Sequence, residues 1–169
     1  MKKIGLLSDT HSYIDDNILS YFEECDEIWH AGDIGDLKVA DRLEEFKPLK
    51  VVYGNIDGAD ARRRYPLDLR FDIEGLDVFI THIGGYPGRY NRRVVEIFKA
   101  NPPQLFICGH SHIMKVMPDQ RFNFLHINPG ACGHHGFHKI RTMARFSVEN
   151  GKIKDLQAIE LGGRGKIVK

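Results

Sequence analysis

The sequence has no surplus of charge. Lys and Arg total 24 against 23 Asp and Glu, a net charge of +1. A general nucleic-acid binder is usually basic, so this balance disfavours that class, and a nuclease with it. Cysteine is scarce. Cys25, Cys108 and Cys132 are odd in number and far apart, which argues against a disulfide framework and a zinc-type cysteine pair. Cys108 lies in an apolar run and reads as a buried thiol. Long apolar runs are also missing. None approaches the ~20 residues of a membrane-spanning helix. The run that follows Lys2 and Lys3 is too short for a signal peptide. These absences predict a soluble, cytoplasmic protein with no membrane partner. No repeat, linker or composition break interrupts the 169 residues, so one domain is expected.

Short apolar runs alternate with helical spacing through the first half. Residues 4–7, 27–30 and 50–53 read as buried strands. Between them, Ile14, Ile18, Leu19, Tyr21 and Phe22, and then Val39, Leu43 and Phe46, recur with helical period. This alternation predicts βαβ units and a largely parallel sheet. The second half is richer in hairpins. Residues 69–73 and 78–81 flank one turn. Residues 143–148 and 153–159 flank Asn150-Gly151, the strongest short hairpin signal. Residues 84–91 read as a loop, 94–99 as a helix, and 105–108 and 122–127 as strands. Residues 162–166 are rich in glycine but lack the spacing of a phosphate loop, and read as a frayed tail.

Polar residues follow the strands. Asp9 and His11 follow the first, Asp33 the second and Asn55 the third. His82 follows residues 78–81, and His110 and His112 follow residues 105–108. In open α/β sheets the carboxyl ends of strands gather at one edge, where ligands bind. Each residue alone has a bland reading: Asp9 as a helix cap, Asn55 as a turn former, His82 as a core-edge histidine. Seven at five strand ends are hard to produce by turn chemistry. Two carboxylates, one amide and four imidazoles are too many for one tetrahedral ion with an open position. They suit two divalent ions that clamp a phosphate and activate a water. Nitrogen and oxygen donors without thiolate fit Mn, Fe, Co, Ni or Zn better than Mg or Ca.

These residues resemble the calcineurin-like metallophosphoesterase superfamily. Its blocks D-x-H, G-D, G-N-H-[DE], a lone H and G-H-x-H appear in order as Asp9-Thr10-His11, Gly32-Asp33, Gly54-Asn55-Ile56-Asp57, His82 and Gly109-His110-Ser111-His112. The short chain and Asn128-Pro129-Gly130 resemble the small bacterial and archaeal phosphodiesterase branch. The resemblance implies an α/β fold, a four-layer α/β/β/α sandwich of two mixed sheets. It implies that Asp9, His11 and His112 hold one ion, that Asn55, His82 and His110 hold the other, and that Asp33 bridges them. Mn²⁺ is the expected metal, with Ni²⁺, Co²⁺, Fe²⁺ and Zn²⁺ as alternatives. The carbonyls of Thr81 or Gly109 could add to the set. The implied activity is hydrolysis of a small phosphodiester by a metal-bridging hydroxide.

One departure stands out. Ile56 replaces the histidine of G-N-H-[DE], which is thought to assist the leaving group. Asp57 remains, and is expected to orient a ligand imidazole from behind. His30 could support the site or be only a strand-end histidine. His134, His135 and His138 could reach substrate phosphate, His135 above all, or form a solvated loop. Arg62, Arg63, Arg64, Arg89, Arg92 and Arg93 read as solvated faces that could attract an anion. A non-catalytic reading stays open, because the scaffold subunit of the retromer complex shares this fold and binds proteins. That subunit departs from the ligand set at a histidine; this chain keeps every ligand. A homodimer or homotetramer is left open.

Overall fold

A computed structural model describes residues 1–165 of the chain. Twelve strands and four helices are described, and two five-stranded sheets pack face to face. The first sheet contains β1 (Lys2–Leu7), β2 (Glu27–His30), β3 (Leu49–Val51), β11 (Ile140–Glu149) and β12 (Lys152–Gly163), in the order β12-β11-β1-β2-β3. The pairs β1–β2 and β2–β3 are parallel, while β11 runs antiparallel to β1 and to β12. The second contains β4 (Asp68–Ile73), β5 (Leu76–Thr81), β8 (Leu105–Ile107), β9 (Met114–Asp119) and β10 (Phe124–Pro129), in the order β4-β5-β8-β10-β9. Its centre is parallel and its two edges antiparallel. Both sheets are therefore mixed, as the resemblance implies, rather than largely parallel.

Period-two alternation explains the layers. Along β1, Leu6 faces the opposite sheet and Leu7 faces helices; along β2, Trp29 and Ile28 divide in the same way. In the second sheet Val78, Ile80, Leu105 and Ile107 face inward, while Phe79 and Phe106 face outward. Strands buried on both faces read as unbroken apolar runs, which is why they are visible in the sequence. The outer faces are covered by α1 (Asp16–Ser20) and α2 (Leu37–Phe46) on one side and α4 (Arg92–Ala100) on the other. The result is a four-layer α/β/β/α sandwich.

Four elements carry no clear sequence signal. The helix α3 (Ala59–Arg64) buries only Ala61. The edge strand β9 contains Pro118 and buries only Asp119, a composition tolerated at a sheet edge. The pair β6 (Gly85–Tyr86) and β7 (Arg89–Tyr90) forms a small hairpin inside the expected loop. Gly162 and Gly163 close β12 instead of fraying; Lys166 lies outside the described residues. Cys25, Cys108 and Cys132 are all free and buried. Among the described residues no helix is long and apolar enough to cross a membrane.

Candidate metal centre

The carboxyl ends of β1, β2 and β3 meet those of β5 and β8 at one edge of the sandwich. Hydrogen bonds close this seam. The Asp9 amide donates to the Gly32 carbonyl at 2.9 Å, the Gly109 amide donates to the His82 carbonyl at 3.0 Å, and the Cys132 amide donates to the Ser8 carbonyl at 2.9 Å. Gly109 is required by packing, because a Cβ there would lie 2.2 Å from Ser8 Oγ and 2.7 Å from Asp9 Oδ2. Gly32 is required twice over: its φ is +99°, and a Cβ would lie 2.6 Å from His82 Nδ1.

The backbone itself marks the site. Asp9, His11, Asp33, His110 and His112 have φ between 44° and 72°. Non-glycine residues adopt this left-handed region rarely, at a cost of about 1–3 kcal/mol each. Five of the seven expected ligands share it, which turns each side chain from the strand direction into one cleft.

Inside the cleft the donors fall into two groups. Asp9, His11, Asp33 and His112 form one, Asp33, His82 and His110 the other, each with ligand atoms within 4.8 Å of one another. Asp33 belongs to both. Its Oδ2 lies 3.4 Å from His11 Nε2 and 3.2 Å from His82 Nε2, and its Oδ1 accepts the Ile56 amide at 3.1 Å. Asp9 Oδ1 faces three imidazole nitrogens, His112 Nε2 at 3.1 Å, His82 Nε2 at 3.8 Å and His11 Nε2 at 3.9 Å. Asp9 Oδ2 is held by Ser8 Oγ at 2.7 Å and the His110 amide at 3.1 Å. Asn55 lines the same cleft beside Asp33 and His110.

This donor set fits divalent cations. Asp9 Oδ1, His11 Nε2 and His82 Nε2 are buried without a hydrogen-bond partner, an arrangement that costs free energy unless a cation satisfies it. His82 shows the logic. Its Nδ1 meets the Ala31 carbonyl at 2.7 Å. A carbonyl only accepts, so Nδ1 carries a proton and Nε2 is the nitrogen turned toward two carboxylates. Burial alone would lower the His82 pKa, but Asp33 and Asp9 outweigh it and raise it. Burial alone would raise the Asp9 carboxyl, but His11 and His112 hold it far below the usual range. Asp33 is likewise lowered, with His82 outweighing burial. Burial, reinforced by His82, lowers His110. The carboxylates thus call for positive charge at the point where the imidazole lone pairs converge.

The surrounding residues differ in part from expectation. Asp57 orients no ligand imidazole. Its carboxylate accepts three backbone amides, Gly54 at 2.7 Å, Gly35 at 2.9 Å and Ile34 at 3.2 Å. It clamps the loop after β3 to the loop that carries Asp33. His30 is buried behind the site. Its Nδ1 accepts from the Gly32 amide at 3.0 Å, so its Nε2 proton goes to Thr10 Oγ1 at 3.0 Å, and that hydroxyl donates to the Ile34 carbonyl at 2.9 Å. Burial pushes the His30 pKa down to about 4, which keeps this bridge neutral. The three later histidines separate. His134 turns away, bonding the Arg164 carbonyl and packing against Tyr13. His135 is exposed and stacks on His11 at 4.9 Å. His138 is buried and meets His112. Arg63 and Arg64 pair with surface carboxylates, whereas Arg62 donates to the Asp57 and Asn55 carbonyls.

Sequence reasoning missed Asn128. Its Nδ2 donates to the Gly109 carbonyl at 2.9 Å and to Ser111 Oγ at 3.1 Å, and its Oδ1 accepts the Gly130 amide at 3.0 Å. It fixes the turn that presents His110 and His112. The sequence offered two signals, its place near the end of a strand and its part in the Asn128-Pro129-Gly130 resemblance, but neither gave it a role at the site.

Residues 1–151 match the model of the calcineurin-like phosphoesterase superfamily domain. The chain belongs to this superfamily. A probable metallophosphoesterase of Methanothermobacter thermautotrophicus is 30% identical over 118 residues, 64% of this chain and 66% of that protein. The chain therefore spans just under two thirds of that relative's length. Among solved structures, an archaeal phosphodiesterase superposes with a TM-score of 0.72 at 26% identity, covering 94% of this chain and 99% of the other. Vps29 of Chaetomium thermophilum gives 0.73 at 13% identity over 95% and 94%, a likeness of fold alone. As a calcineurin-like phosphoesterase, the chain is expected to use divalent metal, and the cleft supplies a set of donors for it.

Proposed function

We propose that this calcineurin-like phosphoesterase is a two-metal phosphodiesterase whose substrate is small and leaves as a weakly basic group. The carrying observation is the pair of donor groups that share Asp33. Asp9, His11 and His112 would hold one ion, Asn55, His82 and His110 the other, with Asp33 between them. When bound, the ions supply charge for the phosphate oxygens and an activated water for in-line attack. The chain's own residues fix geometry. Ser8 and the His110 amide hold Asp9, the Ile56 amide holds Asp33, and the Ala31 carbonyl selects the His82 tautomer. His135, stacked on His11 at the cleft wall, would donate to a phosphate oxygen.

The leaving-group side is apolar. Ile56, Ile113 and Phe137 are exposed and line the same cleft of about 450 Å³. Ile56 contributes its backbone amide to Asp33 and has no side-chain proton for a departing oxygen. An aryl or similarly stable anion suits both features. Mn²⁺ is the metal the family resemblance implies; four imidazoles and two carboxylates would also accept Ni²⁺, Co²⁺, Fe²⁺ or Zn²⁺.

The same exposed apolar rim favours a second reading, a scaffold that docks protein. Hydrolysis by Mn²⁺-loaded protein separates the two. Turnover of bis(aryl) phosphate well above that of the aryl monoester supports the proposal. Tight metal binding with no turnover of any phosphoester would favour the scaffold.

A further inference from the structure

We propose that His138 is a positioning residue that sets the tautomer of His112 through a ring-to-ring hydrogen bond, so that His112 presents a bare Nε2 to a divalent ion. The inference rests on the reading of His112 as a ligand and goes beyond it, because no block of the superfamily pattern reaches residue 138.

His138 Nε2 lies 2.9 Å from the Gly133 carbonyl. A carbonyl only accepts, so Nε2 carries the proton, and the neutral His138 ring has a lone pair on Nδ1. That Nδ1 lies 3.2 Å from His112 Nδ1. Two lone pairs at this distance repel, so His112 must carry its proton on Nδ1 and donate it. Its Nε2 is then free to bind an ion, and this nitrogen lies 3.1 Å from Asp9 Oδ1; without a cation Asp9 draws a proton to Nε2, so the arrangement set by His138 is the one that holds when a divalent ion sits between them. Reversing the protons would set a bare nitrogen against the Gly133 carbonyl oxygen. Ligand imidazoles usually donate their second N–H to a carboxylate, a carbonyl or water. Here a neutral imidazole takes that place and adds no charge to a cleft that already holds two carboxylates.

The loop between the rings is shaped for this contact. Gly136 has φ +133°, and a Cβ there would lie 2.2 Å from His112 Nδ1 and 3.1 Å from His138 Nδ1. Any side chain at 136 would part the rings. His138 is buried, and the rings cross at 75° with centroids 5.1 Å apart, so the contact is an edge-on nitrogen pair rather than a stack.

The test is ¹⁵N–¹H NMR of histidine side chains in Zn²⁺-loaded protein, joined to calorimetry with Zn²⁺. Wild type should show His112 protonated on Nδ1 with a nitrogen–nitrogen coupling to His138. In His138→Leu the His112 Nδ1 proton should exchange faster with water, and Zn²⁺ affinity at one of the two sites should fall about 10–100-fold. His138→Asn sets Oδ1 near the place of Nδ1 and should recover most of the affinity. His82, fixed by the Ala31 carbonyl, should keep its tautomer in every variant and so report an intact fold. A wild-type His112 protonated on Nε2 would overturn the proposal, and needs no variant to fold. So would a leucine variant with unchanged Nδ1 proton exchange and affinity, or an asparagine variant no better than leucine. None of these readings uses turnover. A protein that passes them but hydrolyses no phosphoester would refute the phosphodiesterase reading and leave this one standing.

Discussion

Asp57→Asn should loosen the metal cleft although Asp57 hydrogen-bonds to no ligand side chain. The carboxylate is buried and accepts three backbone amides. Asparagine keeps one acceptor oxygen and replaces the other with an amino group. Whichever way it turns, at least one amide then faces a donor. Placed at Oδ2, the amino group meets both Ile34 and Gly54. Losing a charge-assisted bond costs roughly 1.5–3 kcal/mol, and a stranded buried amide about 1–3 kcal/mol. These losses share one group and do not add, so about 3 kcal/mol is expected. For a domain of this size that lowers Tm by roughly 6–12 °C. The effect should reach the metals through one defined route. Gly54 leads to Ile56, whose amide holds Asp33 Oδ1, and Ile34 and Gly35 follow Asp33 directly. Both ions should therefore weaken together. Differential scanning calorimetry and Mn²⁺ titration read the two effects. A variant with wild-type Tm and two wild-type Mn²⁺ affinities would refute the clamp.

Three further outcomes follow from the same geometry. Chelation should abolish hydrolysis, and Mn²⁺, Co²⁺ or Ni²⁺ should restore it better than Mg²⁺, since imidazole is a poor Mg²⁺ ligand; full recovery in Mg²⁺ alone would contradict the ligand set. Wild-type rates should depend steeply on leaving-group pKa, and Ile56→His should flatten that slope by helping the worst leaving groups most, a general acid contributing typically about 10²–10⁴-fold; a shallow wild-type slope would point to an acid already present, with His135 the first to test. Stability should fall as pH drops from about 6.5 toward 4, because burial pushes His126 in the second sheet down to about 4 and His30 with it. In that window the unfolded chain binds protons that the folded chain excludes. Urea unfolding of His126→Phe across the same range should show a weaker decline; an identical decline would remove His126 from the account.

Much of this molecule was legible because its central strands are buried on both faces. Residues 4–7, 28–29 and 105–107 had to be apolar or small at every step, and the polar residues soon after them had to lie at the sheet edge. The seven expected ligands are read off that one rule. The two hairpins at Glu74-Gly75 and Asn150-Gly151 were legible from turn chemistry, and each pair has positive φ at both positions. What stayed hidden depends on partners distant in sequence. Nothing local to Asp57 says that its carboxylate reaches back to Ile34 and Gly35. Nothing local to His138 says that it meets a histidine 26 residues earlier, or distinguishes it from His134, which turns away. Asn128 sits near the end of a strand, and its hold on Gly109 exists only because β10 lies beside β8. The edge strand β9 has few buried side chains and so leaves little pattern to read.

The most direct measurement is anomalous diffraction from crystals of the wild-type protein loaded with Mn²⁺. The account predicts two peaks in the cleft, one against Asp9, His11 and His112 and the other against Asn55, His82 and His110, with Asp33 touching both. A single peak, or two peaks of which only one contacts Asp33, would contradict it.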